Sequence, residues 1–340
     1  MLRRPRLGRS LAIGVGQVLV TVALCGSDRP PQSVVYTVTE IAMGTTVDLT
    51  LIAPDTATAQ AWVRSVAPEL HRIGFDFWEG EPRGALGRLN RSRRTDDREL
   101  IQLIDRAFEI SRLTGGAFDI RVGELIRRYG FLDQAGEITR PDSVAALAAA
   151  AQALRWEPAN DGGYRLTGSH ATLTLGGIAK GYAVDVVVDR LQQLGCRAGL
   201  VNAGGDLRAW GGSADKPWRI GIEDPGNGDF LAVLELASGA VATSGSYRNR
   251  TISQGDTIHH IIDPGSGRSV RGKQSVTVTA PTCTLADALA TGFFVMPPDR
   301  ALALADSLPG VGLLLLSSDG VVVEDEDLAG LRAGVHPPRP

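Results

Sequence analysis

The sequence predicts a single mixed α+β domain, and three observations carry that reading. Strand-like and helix-like segments alternate irregularly with hairpins between them, no repeat of fixed period appears, and no break in composition divides the chain. With 340 residues, 43% hydrophobic and 21% charged, the chain can bury a large core and is neither disordered nor fibrous. Periodicity gives the elements in order. Clusters of β-branched residues predict strands over Val34–Thr39 and Thr46–Ile52, joined at Met43-Gly44-Thr45. Apolar residues at helical spacing predict helices over Thr56–Ile73, Leu100–Leu113 and Ser143–Leu154. Asn160–Gly163 reads as a turn, and Tyr164–Leu175 as a hairpin with Gly168-Ser169 at its tip. Ile178–Leu194 has an apolar helical face at positions 179, 183, 186, 187, 191 and 194, with Asp185, Asp189 and Gln193 opposite. Strands are expected over Ala198–Asn202, Trp218–Ile222, Leu231–Leu236, Ala240–Thr243, Ile258–Ile262 and Ser275–Thr279. Helices over Leu285–Met296 and Asp299–Ser307, then strands over Val311–Leu316 and Val321–Val323, complete the domain.

The first two dozen residues read as a targeting segment. Arg3, Arg4, Arg6 and Arg9 precede an apolar run from Leu11 to Leu24, broken by Gln17 and Thr21. That run is shorter than the roughly 20 residues a spanning helix needs, so a secretory signal peptide is expected, with a retained N-terminal anchor as the alternative. Val22-Ala23-Leu24-Cys25 resembles a bacterial lipoprotein cleavage box, except for Leu24 where such boxes carry a small residue. The expected layout is a signal over 1–24, a linker over 25–33 holding Pro30 and Pro31, a domain over 34–330 and a tail over 331–340. The domain would then sit on the periplasmic side of the inner membrane, lipid-anchored at Cys25.

Charge and cysteine content narrow the class further. Lys+Arg 35 against Asp+Glu 38 gives −3, and removal of residues 1–24, with four Arg and no acid, makes it −7. No basic surface for many phosphates is implied, so nucleic acid is not an expected partner. Beyond Cys25 only Cys196 and Cys283 remain, too few for a disulfide scaffold, and both are expected as buried free thiols.

Glycine is the residue in excess, 41 of 340, about 12% against a usual ~7%. It recurs in four segments that mix Gly with charged or hydroxyl residues: Gly115–Asp119, Leu175–Asp185, Val201–Asp206 and Ala242–Tyr247. Glycine at a strand-to-helix junction lets backbone N–H groups reach a phosphate, although a double glycine alone is more often a turn. None matches the dinucleotide fingerprint or the P-loop, so a nicotinamide-dependent Rossmann enzyme is poorly supported. Asp287 and Thr291 stand i, i+4 on a predicted helix, which puts a carboxylate and a hydroxyl on one face. A buried Asp is costly without a partner, so either a metal or an internal hydrogen bond is needed there.

Two further segments, His259-His260-Ile261-Ile262-Asp263-Pro264 and Leu285–Thr291, complete an ordered series with Met43-Gly44-Thr45. The series resembles the ApbE family, the periplasmic FAD:protein FMN transferases, from about Tyr36 to Leu316. The resemblance implies that family's α+β fold and an enzyme that binds FAD and Mg2+. It also implies cleavage of the pyrophosphate, transfer of FMN to a Thr or Ser hydroxyl of an acceptor redox protein, and release of AMP. By residue, it implies metal ligation by Asp287, Thr291 and the backbone carbonyl of Gly177. His260 is matched as proton acceptor, against a structural histidine bonding a loop carbonyl, and Asp287 counts as catalytic through the metal. Lys180 is matched to a flavin phosphate, against a lysine facing solvent. Met43, Ala117, Phe118, Asp119, Thr174 and Ile261 match positions that line the flavin, while Asn202, Gly205 and Asp206 read as a turn beneath the site.

The chain departs from the family pattern in three places. Thr174-Leu175-Gly176 stands where the family has Asp-Leu-Gly, removing a carboxylate that helps hold the nucleotide. Gly80 stands where an aromatic residue would cover the ligand, with Trp78 or Phe77 as possible replacements, and Arg121 replaces a common Thr. A pyrophosphatase giving FMN and AMP, or a flavin-binding lipoprotein without turnover, are the competing readings.

Overall fold

The structure is a computed structural model, describing residues 33–132, 141–160, 162–226, 228–247, 250–253 and 256–333. The proposed signal, cleavage box and most of the linker lie outside the described residues.

The chain opens on a hairpin, β1 (Val34–Ala42) and β2 (Thr45–Ala53), followed by α1 (Thr56–Asp76) and α2 (Ala85–Ser92). Then come the short β3 (Arg94–Thr95), α3 (Arg98–Leu113), α4 (Gly123–Arg128) and α5 (Pro141–Ala153). Next are β4 (Arg155–Pro158), β5 (Tyr164–Thr167), α6 (Ala179–Gln193), β6 (Ala198–Ala203), β7 (Asp206–Trp210), β8 (Trp218–Glu223) and β9 (Phe230–Leu236). They lead to β10 (Gly239–Gly245), β11 (Arg250–Ser253), β12 (Asp256–His259), β13 (Lys273–Ala280), α7 (Cys283–Val295) and α8 (Pro298–Asp306). The chain finishes on β14 (Gly312–Ser317), β15 (Val322–Glu324) and α9 (Glu326–Gly330).

Eight strands form one antiparallel sheet in the order β1-β2-β6-β7-β10-β13-β14-β15. Its two faces are both covered, and the alternation of side chains assigns each residue to a face. Val201, Ala240, Ala242, Leu313 and Leu315 pack towards α1, α6 and α7, while Leu200, Val241 and Leu314 pack towards the β8–β9 ribbon and Leu328. Burial on both faces accounts for the uninterrupted apolar run in β14, which an antiparallel strand with one wet face would not carry. Phe293 and Phe294 of α7 are fully buried in the helical layer, each contributing on the order of 2–3 kcal/mol through burial.

The α+β class stands, and most predicted elements are present with longer ends. The Met43-Gly44 junction is a two-residue hairpin loop with φ of 55° and 71°, the primed turn that matches strand twist. The hairpin expected over Tyr164–Leu175 is displaced: β5 pairs with β4 across the turn at 159–163, and the chain leaves the sheet at Gly168. Leu173 then exchanges hydrogen bonds with the Asn90 side chain, 2.8 and 2.9 Å, so its backbone is satisfied without a strand partner. The strand expected over Ile258–Ile262 ends at His259. Leu331, which follows α9, packs against the ribbon, and Ala333 donates to the Val233 carbonyl.

Asp185 is the informative correction. Its position opposite the apolar face of α6 suggests solvent, yet it is buried. Its carboxylate accepts from the N–H groups of Cys283 (3.0 Å) and Thr284 (2.8 Å) and from the Thr284 hydroxyl (2.6 Å). It therefore caps the start of α7, alongside Thr282 at the N-cap, and pairs with Arg208 at 3.1 Å. At the other end Lys273 donates to the carbonyls of Phe294 (2.9 Å) and Met296. The helix carrying Asp287 and Thr291 is thus held at both ends by buried charges. Cys196 and Cys283 are buried free thiols, as expected. Among the described residues no helix is long and apolar enough to cross a membrane.

Candidate active site

A cavity of about 500 Å³ lies where the N-terminus of α6, the face of α7 and the ends of β10 and β12 converge. Met43, Ala117, Phe118, Asp119, Thr174, Gly177, Lys180, His260, Ile261, Asp287 and Thr291 all line it. Every site residue singled out from the sequence is therefore on one wall or another. A second cleft, of about 630 Å³, runs along α2 between Arg88, Arg91, Arg94, Asp96 and Asp97, and none of the glycine-rich segments reaches it.

The corner between α6 and α7 holds the densest charge. Asp287 is buried, and its Oδ2 accepts the Gly181 N–H at 3.0 Å. Lys180 Nζ lies 4.0 Å from Asp287 Oδ1 and is bonded to the carboxylate of Asp206, the residue that opens β7. Burial pushes the Asp287 carboxyl above its ordinary range, against the opposing pull of Lys180 and the Gly181 N–H. Lys180 does not face open solvent: it is two-thirds buried between two carboxylates and still lines the cavity. Beneath it, Asn202 accepts the Gly205 N–H at 2.8 Å, and Gly204 and Gly205 take φ of 61° and 102°. The turn that places Asp206 needs those glycines.

Thr291 Oγ1 lies one turn from Asp287 on α7 and 3.4 Å from the Ser244 hydroxyl of β10. A Cβ at Gly177 would stand 2.9 Å from Thr291 Oγ1 and 3.4 Å from the Phe118 ring. Only glycine lets the backbone of residue 177 approach Thr291 so closely. The result is a carboxylate and two hydroxyls, hard oxygen donors suited to a small divalent cation, with the Gly177 backbone close beside them. Among the described residues no cluster of three or more His, Cys, Asp or Glu side chains is set to hold a metal. A cation at this corner would therefore rely on mixed carboxylate, hydroxyl and carbonyl ligands.

The two histidines separate cleanly. His259 is buried, with Nε2 2.6 Å from the Val270 carbonyl and Nδ1 accepting the Ile261 N–H at 3.3 Å, which makes it a structural residue. His260 lines the cavity, its ring edge-on to Phe131 at 6.4 Å. Asp119 lines the cavity too, but its carboxylate is bound by Arg121, NH to Oδ2 at 2.5 Å, and caps the turn that follows. Arg121, which departs from the family pattern, thus neutralises Asp119 and also bonds the carbonyl of Gln152 on α5. Phe77 is buried against Tyr182 and covers no ligand, whereas Trp78 is half-exposed and lines the cavity.

Several lining residues went unread in the sequence. Glu79 comes from the loop after α1, and Ile126 and Phe131 from α4 and its exit, whereas Tyr247, from the loop after β10, ends the glycine segment Ala242–Tyr247. The Ser244-Gly245 pair had been visible only as part of a glycine segment.

Comparison with known proteins shows the family. Residues 43–315 match the model of the ApbE family. The chain is 32% identical to a FAD:protein FMN transferase of Vibrio cholerae over 314 residues, 87% of this chain and 91% of that one. It is 31% identical to the FAD:protein FMN transferase of Klebsiella pneumoniae, over 83% and 85% of the two chains. Among solved structures, the ApbE protein of Thermotoga maritima superposes with a TM-score of 0.79 at 28% identity, covering 88% of this chain and all of that one. The apo flavinyl transferase ApbE of Pseudomonas stutzeri does so with a TM-score of 0.77, covering 89% and 99%.

Proposed function

The chain belongs to the ApbE family, and from that premise we propose that it is a FAD:protein FMN transferase whose chemistry runs in the α6–α7 corner. The observation that carries the proposal is the buried Asp287 carboxylate, set beside the Thr291 hydroxyl and the Gly177 backbone on the wall of a cavity of about 500 Å³.

The substrate is FAD and the co-substrate is an acceptor protein. An acceptor Thr or Ser oxygen forms a bond to the FMN-side phosphorus, the bond to the bridging oxygen breaks, and AMP leaves with that oxygen. The hydroxyl proton goes to the imidazole of His260, which lines the cavity. Lys180, held between Asp206 and Asp287, presents its ammonium to the pyrophosphate. Met43 and Phe118 supply apolar surface to the flavin, and the start of α6 turns the positive end of its dipole towards the phosphate oxygens. Asp287, Thr291 and the Gly177 carbonyl would hold Mg2+, which when bound neutralises charge on the non-bridging oxygens.

We also propose that residues 1–24 export the domain to the periplasm and that Cys25 carries the lipid anchor, on the basic start, the short apolar run and the cleavage box. An acceptor there would be a redox protein.

Incubation with FAD, Mg2+ and a candidate acceptor tests the reading. The expected result is in-gel flavin fluorescence on the acceptor with stoichiometric AMP, abolished by a chelator. AMP with free FMN would mean that water takes the acceptor's place, and unchanged bound FAD would mean a binding protein.

A further inference from the structure

The segment Trp78-Glu79-Gly80 meets Thr174 through Glu79 at the cavity wall, and Gly80 and Thr174 are two of the three positions where the sequence departs from the family pattern. Thr174 Oγ1 donates to Glu79 Oε1 at 2.5 Å and accepts the Gly176 N–H at 3.2 Å, so its hydroxyl has no proton left for a ligand. Glu79 is partly buried, and burial of its carboxyl group pushes its pKa above the usual range, against the bond from Thr174. A carboxylate has about four acceptor positions, and Thr174 occupies one of them from the Glu79 side of the cavity wall. An acceptor oxygen therefore stands within hydrogen-bond distance of the position-174 hydroxyl, delivered from position 79.

The aromatic side of the wall follows the same pattern. An added Cβ at Gly80 would stand 2.4 Å from Cζ2 and 2.5 Å from Cε2 of the Trp78 indole. The indole thus fills the space over position 80 that a side chain there would occupy. It is half-exposed at the cavity, an unfavourable place for a large apolar ring unless a ligand covers it.

Resting on the proposed function, we infer that Trp78 and Glu79 rebuild the ligand wall that the departures at positions 80 and 174 remove. The indole stacks on one of the two heterocycles of FAD, and the Glu79 carboxylate accepts a hydrogen bond from an N–H of that ring or a hydroxyl attached to it. Glu79 and Trp78 are positioning residues, outside the bond-breaking step.

Calorimetric titration of the intact protein with FAD, FMN and AMP, without metal, tests this. Trp78→Ala should weaken FAD about 10- to 100-fold, the range for loss of one stacked base, and Glu79→Gln should weaken it about 10-fold. The same two substitutions should weaken either FMN or AMP and spare the other, which identifies the ring. The transposed variant, Glu79→Thr with Thr174→Asp, should return FAD affinity to within about threefold of the parent. Unchanged FAD affinity in both single variants, or a transposed variant that melts like the parent and still fails to recover, overturns the inference and leaves the family reading intact. A parent protein that does not bind FAD overturns the proposed function and this inference with it.

Discussion

In the corner between α6 and α7, Lys180, Asp287 and Thr291 stand on two helices in direct contact. Across the cavity, Trp78, Glu79 and Thr174 stand on loops joined by a hydrogen bond between residues 95 positions apart. The corner is fixed by backbone: a Cβ at Gly181 would stand 2.2 Å from the Cys283 carbonyl, and Asp185 and Lys273 tie down both ends of α7. The loop wall is fixed by side chains, which exchange partners without disturbing the sheet or the helices. The contrast indicates where a pocket keeps its reaction and where it varies its grip: chemistry on the rigid corner, recognition on the adjustable wall.

Asp287→Asn should separate chemistry from stability more sharply than any other change. Transfer of FMN should fall at least about 10²-fold, the scale for losing one preorganised electrostatic contact. The melting temperature should hold or rise, because a buried carboxylate whose pKa is pushed up by desolvation is replaced by a neutral amide. Retained transfer would show that the corner does not carry the reaction. Gly181→Ala should act the other way, through packing. The added methyl meets a backbone carbonyl that cannot rotate away, so unfolding free energy should drop by about 3 kcal/mol in denaturant titration. Asp185→Ala should cost about 2 kcal/mol, since it strips the acceptor from the buried Cys283 N–H and the part-buried Thr284 N–H, while Arg208 keeps its pairing with Asp189.

The same contrast explains what could be read from sequence. Asp287 and Thr291 were legible because i, i+4 spacing within one helix fixes a shared face, and Met43-Gly44 because a short turn between two strands is a local signal. Asp185 was not: its spacing on α6 is that of a solvated position, and only the landing of α7 on its carboxylate makes it a cap. The helix α2 has Gly84 at its N-cap and α4 has Val122, neither with a side-chain bond, so neither carries a capping start signal. Glu79 is the extreme case. Nothing near it in the chain marks it as a ligand-wall residue, because its partner Thr174 reaches it only through the tertiary fold.

The effect most diagnostic of how α7 is held is expected at Lys273. Burial lowers its pKa to about 8, while the unfolded chain restores the ordinary value near 10.5. Between those values the unfolded state binds more protons than the folded one, so stability rises with pH across that window. Below about pH 8 the ammonium is charged in both states and the full burial cost persists, partly offset by its bonds to the Phe294 and Met296 carbonyls. Lys273→Met removes the titration. Comparing the two proteins by denaturant unfolding from pH 7 to 10 should therefore give a difference that grows in favour of the parent, with a slope approaching ~1.4 kcal/mol per pH unit above pH 8. A flat difference would mean that the Lys273 ammonium is not desolvated in the folded state. The C-terminal end of α7 would then be held by something other than a buried lysine, and the corner would be less rigid than its other end implies.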